Sequence, residues 1–398
     1  MNYPIKTLAV IGGGTMGHGI AEVLALSGRS VRIRDVDQRF LDDARRKIEW
    51  SVSRLHEKGR LKEDTELVTG RISYHLNLSS AVKDCDMVIE AVPEDLELKK
   101  GIFADLSRTT EPSTVLATNT SCLPIGEIAS AVREPSRVVG THFFNPPVIM
   151  KLIEVIRGSS TSDETVKRTL ALMGALGKTA ILVRRDVPGF VVNRVLARMM
   201  ATARVIVQSG MATITEVDAS LKYGANLPMG PFELLDYIGL DTHNFVENAL
   251  AERGFAMPAG DLISSKVRAG TLGAKTGSGF YVYSKESPKA VIPRELAGRV
   301  PASLVLSPSV NEAVWLVSHD VASAGDIDLS TALGLGFPKG ILTMADEWGL
   351  DVVLENLESL KKSTGEKWLE PEPALRDKVE RGEVGAKSGM GFFEHSGG

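Results

Sequence analysis

Five β-favouring residues, Thr7-Leu8-Ala9-Val10-Ile11, run directly into Gly12-Gly13-Gly14-Thr15-Met16-Gly17 and then into an apolar helical pattern. No other feature restricts the fold as strongly. In the spacing G-x-G-x-x-G the first glycine permits a tight turn and the second lets the backbone approach a pyrophosphate. The third lets the helix pack close to the strand, and the phosphates then lie at the positive end of that helix. A second run, Ser30-Val31-Arg32-Ile33-Arg34, ends in Asp35, eighteen residues beyond Gly17. A carboxylate at that strand end accepts both ribose hydroxyls and repels a 2′-phosphate, which favours NAD over NADP despite Arg32 and Arg34 nearby. The expectation is NAD, held by Gly12, Gly14, Thr15, Met16, Gly17 and Asp35.

Further β-rich runs at 86–92, 114–118, 138–142, 152–156 and 179–183 alternate with helical stretches, which predicts a parallel sheet covered by helices. A long charged helix is expected from about Asp37 to Lys58. After Pro188-Gly189-Phe190 the texture changes: Val191 to Gly210 is almost entirely helix-forming, with apolar residues on most faces. The fold class is therefore α/β, a Rossmann-type dinucleotide-binding domain (1–185) followed by two tandem all-helical domains (186–290 and 291–398).

The tandem reading rests on an internal repeat. Leu227-Pro228-Met229-Gly230 to Gly239-Leu240-Asp241 recurs as Phe337-Pro338-Lys339-Gly340 to Gly349-Leu350-Asp351. Gly273-Ala274-Lys275-Thr276-Gly277-Ser278-Gly279-Phe280 recurs as Gly385-Ala386-Lys387-Ser388-Gly389-Met390-Gly391-Phe392. Ser284 to Arg299 reads as the linker. Asn311-Glu312 is taken as the counterpart of Asn193-Arg194. The α/β half is not repeated, so one cofactor site and one active site are expected.

Composition narrows the function. A net charge of −4 over 398 residues gives no concentrated basic surface for nucleic acid, and no apolar run is long enough to span a bilayer. The first residues carry no secretory pattern. Two cysteines, Cys85 and Cys122, suggest neither a disulfide framework nor a metal site, and a cytoplasmic enzyme is expected.

His142 closes an apolar strand and precedes Phe143-Phe144-Asn145-Pro146-Pro147. Histidine is the natural proton acceptor for hydroxyl oxidation near neutral pH. In Leu152-Ile153-Glu154-Val155-Ile156, Glu154 shares a strand face with Leu152 and Ile156, where a carboxylate is costly unless paired. His142 is within reach across the diproline turn. Lys151 is the competing partner, and a hydrogen-bonded core histidine is the competing role. Asn119-Thr120-Ser121 follows a strand at the sheet's carboxyl edge, and Asn193 interrupts an apolar helix.

Taken in order, Gly12 to Gly17, Glu90-Ala91-Val92-Pro93-Glu94, Asn119-Thr120-Ser121, His142-Phe143-Phe144-Asn145-Pro146, Pro188-Gly189-Phe190 with Asn193-Arg194, and Pro228-Met229-Gly230-Pro231 resemble the L-3-hydroxyacyl-CoA dehydrogenases. The resemblance spans about Lys6 to Tyr283, and the remainder resembles a second copy of the family's helical domain. It implies reversible NAD-dependent oxidation of an L-3-hydroxyacyl-CoA, short-chain such as 3-hydroxybutyryl-CoA, within fatty acid β-oxidation. By implication His142 is the base, Glu154 holds it, and Ser121 and Asn193 bind the substrate, Ser121 also meeting the cofactor. Glu94, Lys99, Asn145 and Lys275 match positions near the dinucleotide, and Ser51 and Lys58 match coenzyme-A contacts. Cys122 stands where many relatives have a second serine, and its thiol would sensitise the site to alkylation. Single-copy relatives dimerise through the helical domain, so the two copies here are expected to pack on each other, with further association through other surfaces left open. In fused relatives a hydratase module follows.

Three other readings compete: a 3-hydroxyadipyl-CoA-like dicarboxylic substrate, a CoA-free hydroxy acid or carnitine, and a non-catalytic dinucleotide-binding protein. Loss of the basic CoA contacts would mark the CoA-free case, and a broken His–Glu pair the non-catalytic one.

Overall fold

A computed structural model describes residues 5–258 and 260–395. It divides into two compact units, Met1–Phe190 and Val191–Gly398. The second unit holds both helical copies.

The first unit is an eight-stranded sheet: β1 Thr7–Ile11, β2 Ser30–Arg34, β3 Ile72–His75, β4 Met87–Glu90, β5 Val115–Thr118, β6 Val138–Phe143, β7 Leu152–Ile156 and β8 Thr179–Val183. Their order is β3-β2-β1-β4-β5-β6-β7-β8, parallel except for the antiparallel β6–β7 pair. Strand order reverses beside β1, the position where open α/β sheets form a ligand crevice. Strands β4 to β7 are buried along their whole length, as the near-continuous apolar runs require of a sheet covered on both faces. Seven of these strands answer to the expected runs. Edge strand β3 was missed because its four residues mix Ser, Tyr and His with one isoleucine and carry no apolar run.

Helix α1, Gly17–Leu26, follows the glycines, and α2, Gln38–Glu57, occupies the expected charged stretch. Asp37 caps α2 by accepting the Arg39 N–H at 2.8 Å. Leu41, Ala44, Ile48 and Val52 bury one face of α2, which packs beside α1 and joins the unit's hydrophobic core, leaving Trp50 65% exposed on another.

In the second unit, helix Val192–Gln208 packs against helix Ala302–Ser318, so the two copies do meet within one chain. Both helices have 17 residues and are offset by 110. Both end in the same left-handed turn, at Gly210 and Asp320, closed by Met211 N–H to Ile206 O and by Val321 N–H to Leu316 O. Their successors are capped alike, by Thr213 and Ser323. This register corrects one expectation. The counterpart of Asn193 is Ser303 and that of Arg194 is Leu304, whereas Asn311-Glu312 lies opposite Ala201-Thr202. The likeness of two Asn-centred dipeptides had suggested a false alignment, which the backbone turns overrule.

Among the described residues no helix is long and apolar enough to cross a membrane, and no group of three or more potential ligands is placed to hold a metal ion.

Candidate active site

The loop after β1 fits a dinucleotide. A Cβ on Gly17 would lie 1.8 Å from the Gly12 carbonyl oxygen, so the close strand–helix approach requires glycine there. A Cβ on Gly14 would meet no protein atom within 4 Å, leaving that face of the loop open to a phosphate. Asp35 is pinned at the end of β2 by the Gly13 N–H at 2.7 Å and the Val36 N–H at 2.6 Å. The two nearby arginines, which argued for NADP, are turned elsewhere: Arg32 donates to the Ala81 and Lys83 carbonyls and Arg34 to the Leu76 carbonyl. Thr15 is exposed at the loop, and Met16 packs partly buried against the core.

Antiparallel pairing of β6 with β7 sets His142 directly opposite Glu154. Directly opposed residues project on the same face, so the side chains meet. Nδ1 of His142 lies 2.6 Å from Oε2 of Glu154, and the residues are 5% and 0% exposed. Phe144 and Phe190 flank the imidazole, with ring centroids 4.5 and 5.9 Å away. His142, not Lys151, is therefore a hydrogen-bond partner of the buried carboxylate. An ionised carboxylate only accepts, so Nδ1 carries hydrogen and neutral His142 presents a lone pair on Nε2.

Ser121 sits on the loop after β5, and Glu94 organises that loop. One Glu94 oxygen accepts the Thr120 hydroxyl at 2.6 Å and the Ser121 and Cys122 N–H groups at 2.8 and 3.2 Å. Lys99 is fully enclosed, 2.7 Å from Glu90 and 3.5 Å from Glu94. Glu90 also accepts the Thr118 hydroxyl and the Val92 N–H, so this buried ionic cluster knits β4, β5 and the Ser121 loop together. Enclosure corrects the expectation for Lys99: its ammonium is spent on carboxylates and reaches the site only through Glu94. Asn119, singled out as a polar group at the sheet edge, accepts the Phe143 N–H at 2.9 Å and ties the Ser121 loop to the strand end of His142. Cys122, next to Ser121 on the same loop, is buried at 1% exposure.

Ser51 and Lys58 both border a cavity of about 660 Å³ between α1, α2 and the turn Asn145–Ile149. Lys47, Arg54 and Arg60 add positive charge around it, and Trp50 and Ile149 supply apolar surface. Such a mixture suits a ligand with phosphates at one end and an apolar arm at the other. Asn193 and Lys275 belong to the second unit. Asn193 is half-buried on the first turn of helix Val192–Gln208, and Lys275 pairs with Asp241 at 2.5 Å.

Sequence reasoning missed Glu22, a buried residue bordering the same cavity. A signal existed: it is the one charged residue in the run Ile20-Ala21-Glu22-Val23-Leu24-Ala25-Leu26.

A nucleotide crevice beside a buried histidine–carboxylate pair defines a dinucleotide-dependent oxidoreductase. Comparison with known proteins makes this specific. Residues 7–187 match the NAD-binding domain of 3-hydroxyacyl-CoA dehydrogenase, and its C-terminal domain matches twice, at 189–283 and 302–395. A probable 3-hydroxyacyl-CoA dehydrogenase of Caenorhabditis elegans is 43% identical over 71% of this chain and 97% of its own length. A probable 3-hydroxybutyryl-CoA dehydrogenase of Deinococcus radiodurans is 43% identical over 69% and 99%. The crystal structure of 3-hydroxybutyryl-CoA dehydrogenase from Escherichia coli K12 superposes with a TM-score of 0.85 at 28% identity, covering 96% of this chain and all of that one. The chain belongs to the 3-hydroxyacyl-CoA dehydrogenase family. It is an NAD-dependent oxidoreductase that acts on the 3-hydroxyl of hydroxyacyl-CoA thioesters.

Proposed function

We propose that the preferred substrate is a short-chain L-3-hydroxyacyl-CoA such as 3-hydroxybutyryl-CoA, oxidised reversibly, with His142 as the general base. The hydrogen bond of 2.6 Å between His142 and the fully buried Glu154 carries this reading. Nε2 takes the 3-hydroxyl proton as the carbon–hydrogen bond gives up its hydride, and Glu154 orients the ring and offsets the charge it acquires. Bound NAD supplies the hydride acceptor. Ser121, on the loop that Glu94 holds, and Asn193 hydrogen-bond the substrate. Glu94, Asn145 and Lys275 flank the dinucleotide, and Lys99 supports them from beneath. Ser51 and Lys58 take coenzyme A in the cationic cavity, which favours a thioester over a CoA-free acid. The names carried by the Deinococcus and Escherichia coli relatives support the short chain.

In this reading the domain of residues 1–185 binds the nucleotide, the first helical copy (186–290) contributes Asn193 and Lys275, and the second (291–398) serves as its packing partner. A cytoplasmic location belongs to the proposal and is supported by Cys85 and Cys122, both buried and outside any disulfide among the described residues.

The test is NADH oxidation with acetoacetyl-CoA, longer and carboxylated 3-ketoacyl-CoAs, and a CoA-free keto acid. Acetoacetyl-CoA is expected to give the highest kcat/KM, and His142→Gln to cut turnover by about a hundredfold or more. Wild-type turnover in that variant removes His142 from the mechanism, and activity confined to the CoA-free acid removes the thioester.

A further inference from the structure

The cavity bordered by Ser51 and Lys58 contains an acid that the chemistry above does not use. Glu22 lies on α1 among aliphatic neighbours, is 1% exposed, and borders the cavity. One of its oxygens accepts the Ser51 hydroxyl at 2.6 Å, and no second hydrogen bond or ion pair to it is found among the described residues. The surrounding cations do not compensate it. Lys47 pairs with Asp43 at 2.7 Å and Arg54 with Glu57 at 2.8 Å, both on α2. Lys58 and Arg60 border the cavity from the chain following α2. His18, on α1, points Nδ1 at the Gly14 carbonyl, 2.7 Å away, and the turn Asn145–Ile149 brings no titratable group.

We propose that Glu22 is a positioning residue for the acyl-CoA: through Ser51 it sets the strength and the pH dependence of thioester binding without entering proton or hydride transfer. This rests on the acyl-CoA reading of the cavity. Burial pushes the Glu22 carboxyl up to about 7, with the Ser51 hydrogen bond pulling the other way. Below that range Glu22 is a neutral acid that can donate to the Ser51 oxygen, which frees the Ser51 hydroxyl for the ligand. Above it the carboxylate keeps the Ser51 proton engaged and puts an uncompensated negative charge beneath a cavity that must accept phosphates. Affinity for the thioester therefore falls as pH rises through neutrality.

Calorimetric titration of the full chain with free coenzyme A, without NAD, at about pH 6 and about pH 8.5 tests this. The wild-type Kd is expected to rise about tenfold more than that of Glu22→Gln, the change that follows when bound ligand displaces the Glu22 titration by one pH unit. The ligand's own phosphate titration is common to both proteins and cancels. His18→Gln controls for the histidine of the cavity and must retain the wild-type dependence. KM for acetoacetyl-CoA should follow Kd, while kcat and KM for NADH do not. Should Glu22→Gln fail to fold, wild type is tested near pH 7.5, where the phosphates of coenzyme A are already largely ionised: binding there must take up protons, read from calorimetry in buffers of different ionisation heat. An identical pH dependence in wild type and Glu22→Gln, or binding without proton uptake, overturns the proposal for Glu22. No coenzyme-A binding by the wild type at either pH overturns instead the thioester reading on which it stands.

Discussion

The two helical copies preserve the same internal anchors and differ where the first would meet a substrate. Asp236 accepts the Phe280 and Tyr281 N–H groups, and Asp346 accepts those of Phe392 and Phe393, all between 2.8 and 3.0 Å. Asp218 and Asp328 hold the next helix start in the same way, through the N–H groups of Phe232 and Glu233 and of Leu342 and Thr343. These carboxylates satisfy buried backbone donors, and leaving such donors unpaired would cost each copy about 1–3 kcal/mol apiece. At the start of the long helix the two copies differ in sequence. There the first copy has Asn193, directly after the turn at Phe190, and the second has Ser303, after Pro301. Asn311 is no substitute, because its amide is spent inside its own copy on the Glu370 carbonyl and the Glu372 N–H. On the proposed role of Asn193, duplication has kept the scaffold while the second copy lacks that side chain.

The largest expected effect therefore separates Asn193 from its true counterpart. Asn193→Ala should lower kcat/KM for acetoacetyl-CoA by about a hundredfold, the scale of losing one well-placed donor. Ser303→Ala should leave it within a factor of two or so, since surface changes away from a site are usually near neutral. Equal losses in steady-state assays would mean that the second copy also serves a substrate.

Next comes the contact between copies. Glu312 receives both Arg194 and Arg198 from the first copy, at 2.5 and 2.8 Å, all three side chains being less than a tenth exposed. Phe255, Trp315 and Trp368 lie against the guanidiniums. Removing the Glu312 carboxylate takes away the buried counter-charge that the two guanidiniums share. Glu312→Gln should cost about 3–5 kcal/mol in urea unfolding. Loss of less than about 1 kcal/mol would show that the arginines find other partners and that the second copy is less integral than its packing suggests.

The smallest effect sharpens the comparison most. Lys275 pairs with Asp241 and Lys387 with Asp351 in equivalent, half-exposed positions, both at 2.5 Å. Exposed pairs contribute under about 1 kcal/mol, so Lys275→Ala and Lys387→Ala should have nearly the same Tm. Only Lys275→Ala should raise KM for NADH, by a few-fold. A rise in Lys387→Ala as well, or in neither, would detach Lys275 from the cofactor.

What could be read from residues alone were patterns with local causes. The strand–glycine–helix sequence of Thr7 to Gly17, the buried runs of β4 to β7 and the repeat ending in Gly279-Phe280 and Gly391-Phe392 each follow from backbone geometry or from burial over a few consecutive residues. Seven of eight strands and the pairing of His142 with Glu154 were accessible this way, the latter because an acid on an apolar strand must find a partner. Tertiary structure alone decided what depends on neighbours distant in sequence. It turned Arg32 and Arg34 away from Asp35, enclosed Lys99 behind Glu90 and Glu94, set Glu22 beneath Ser51, and aligned Asn193 with Ser303 instead of Asn311. In each case the outcome depends on which partner a charged or polar group reaches, and burial makes that choice energetically decisive only once the chain has closed around it.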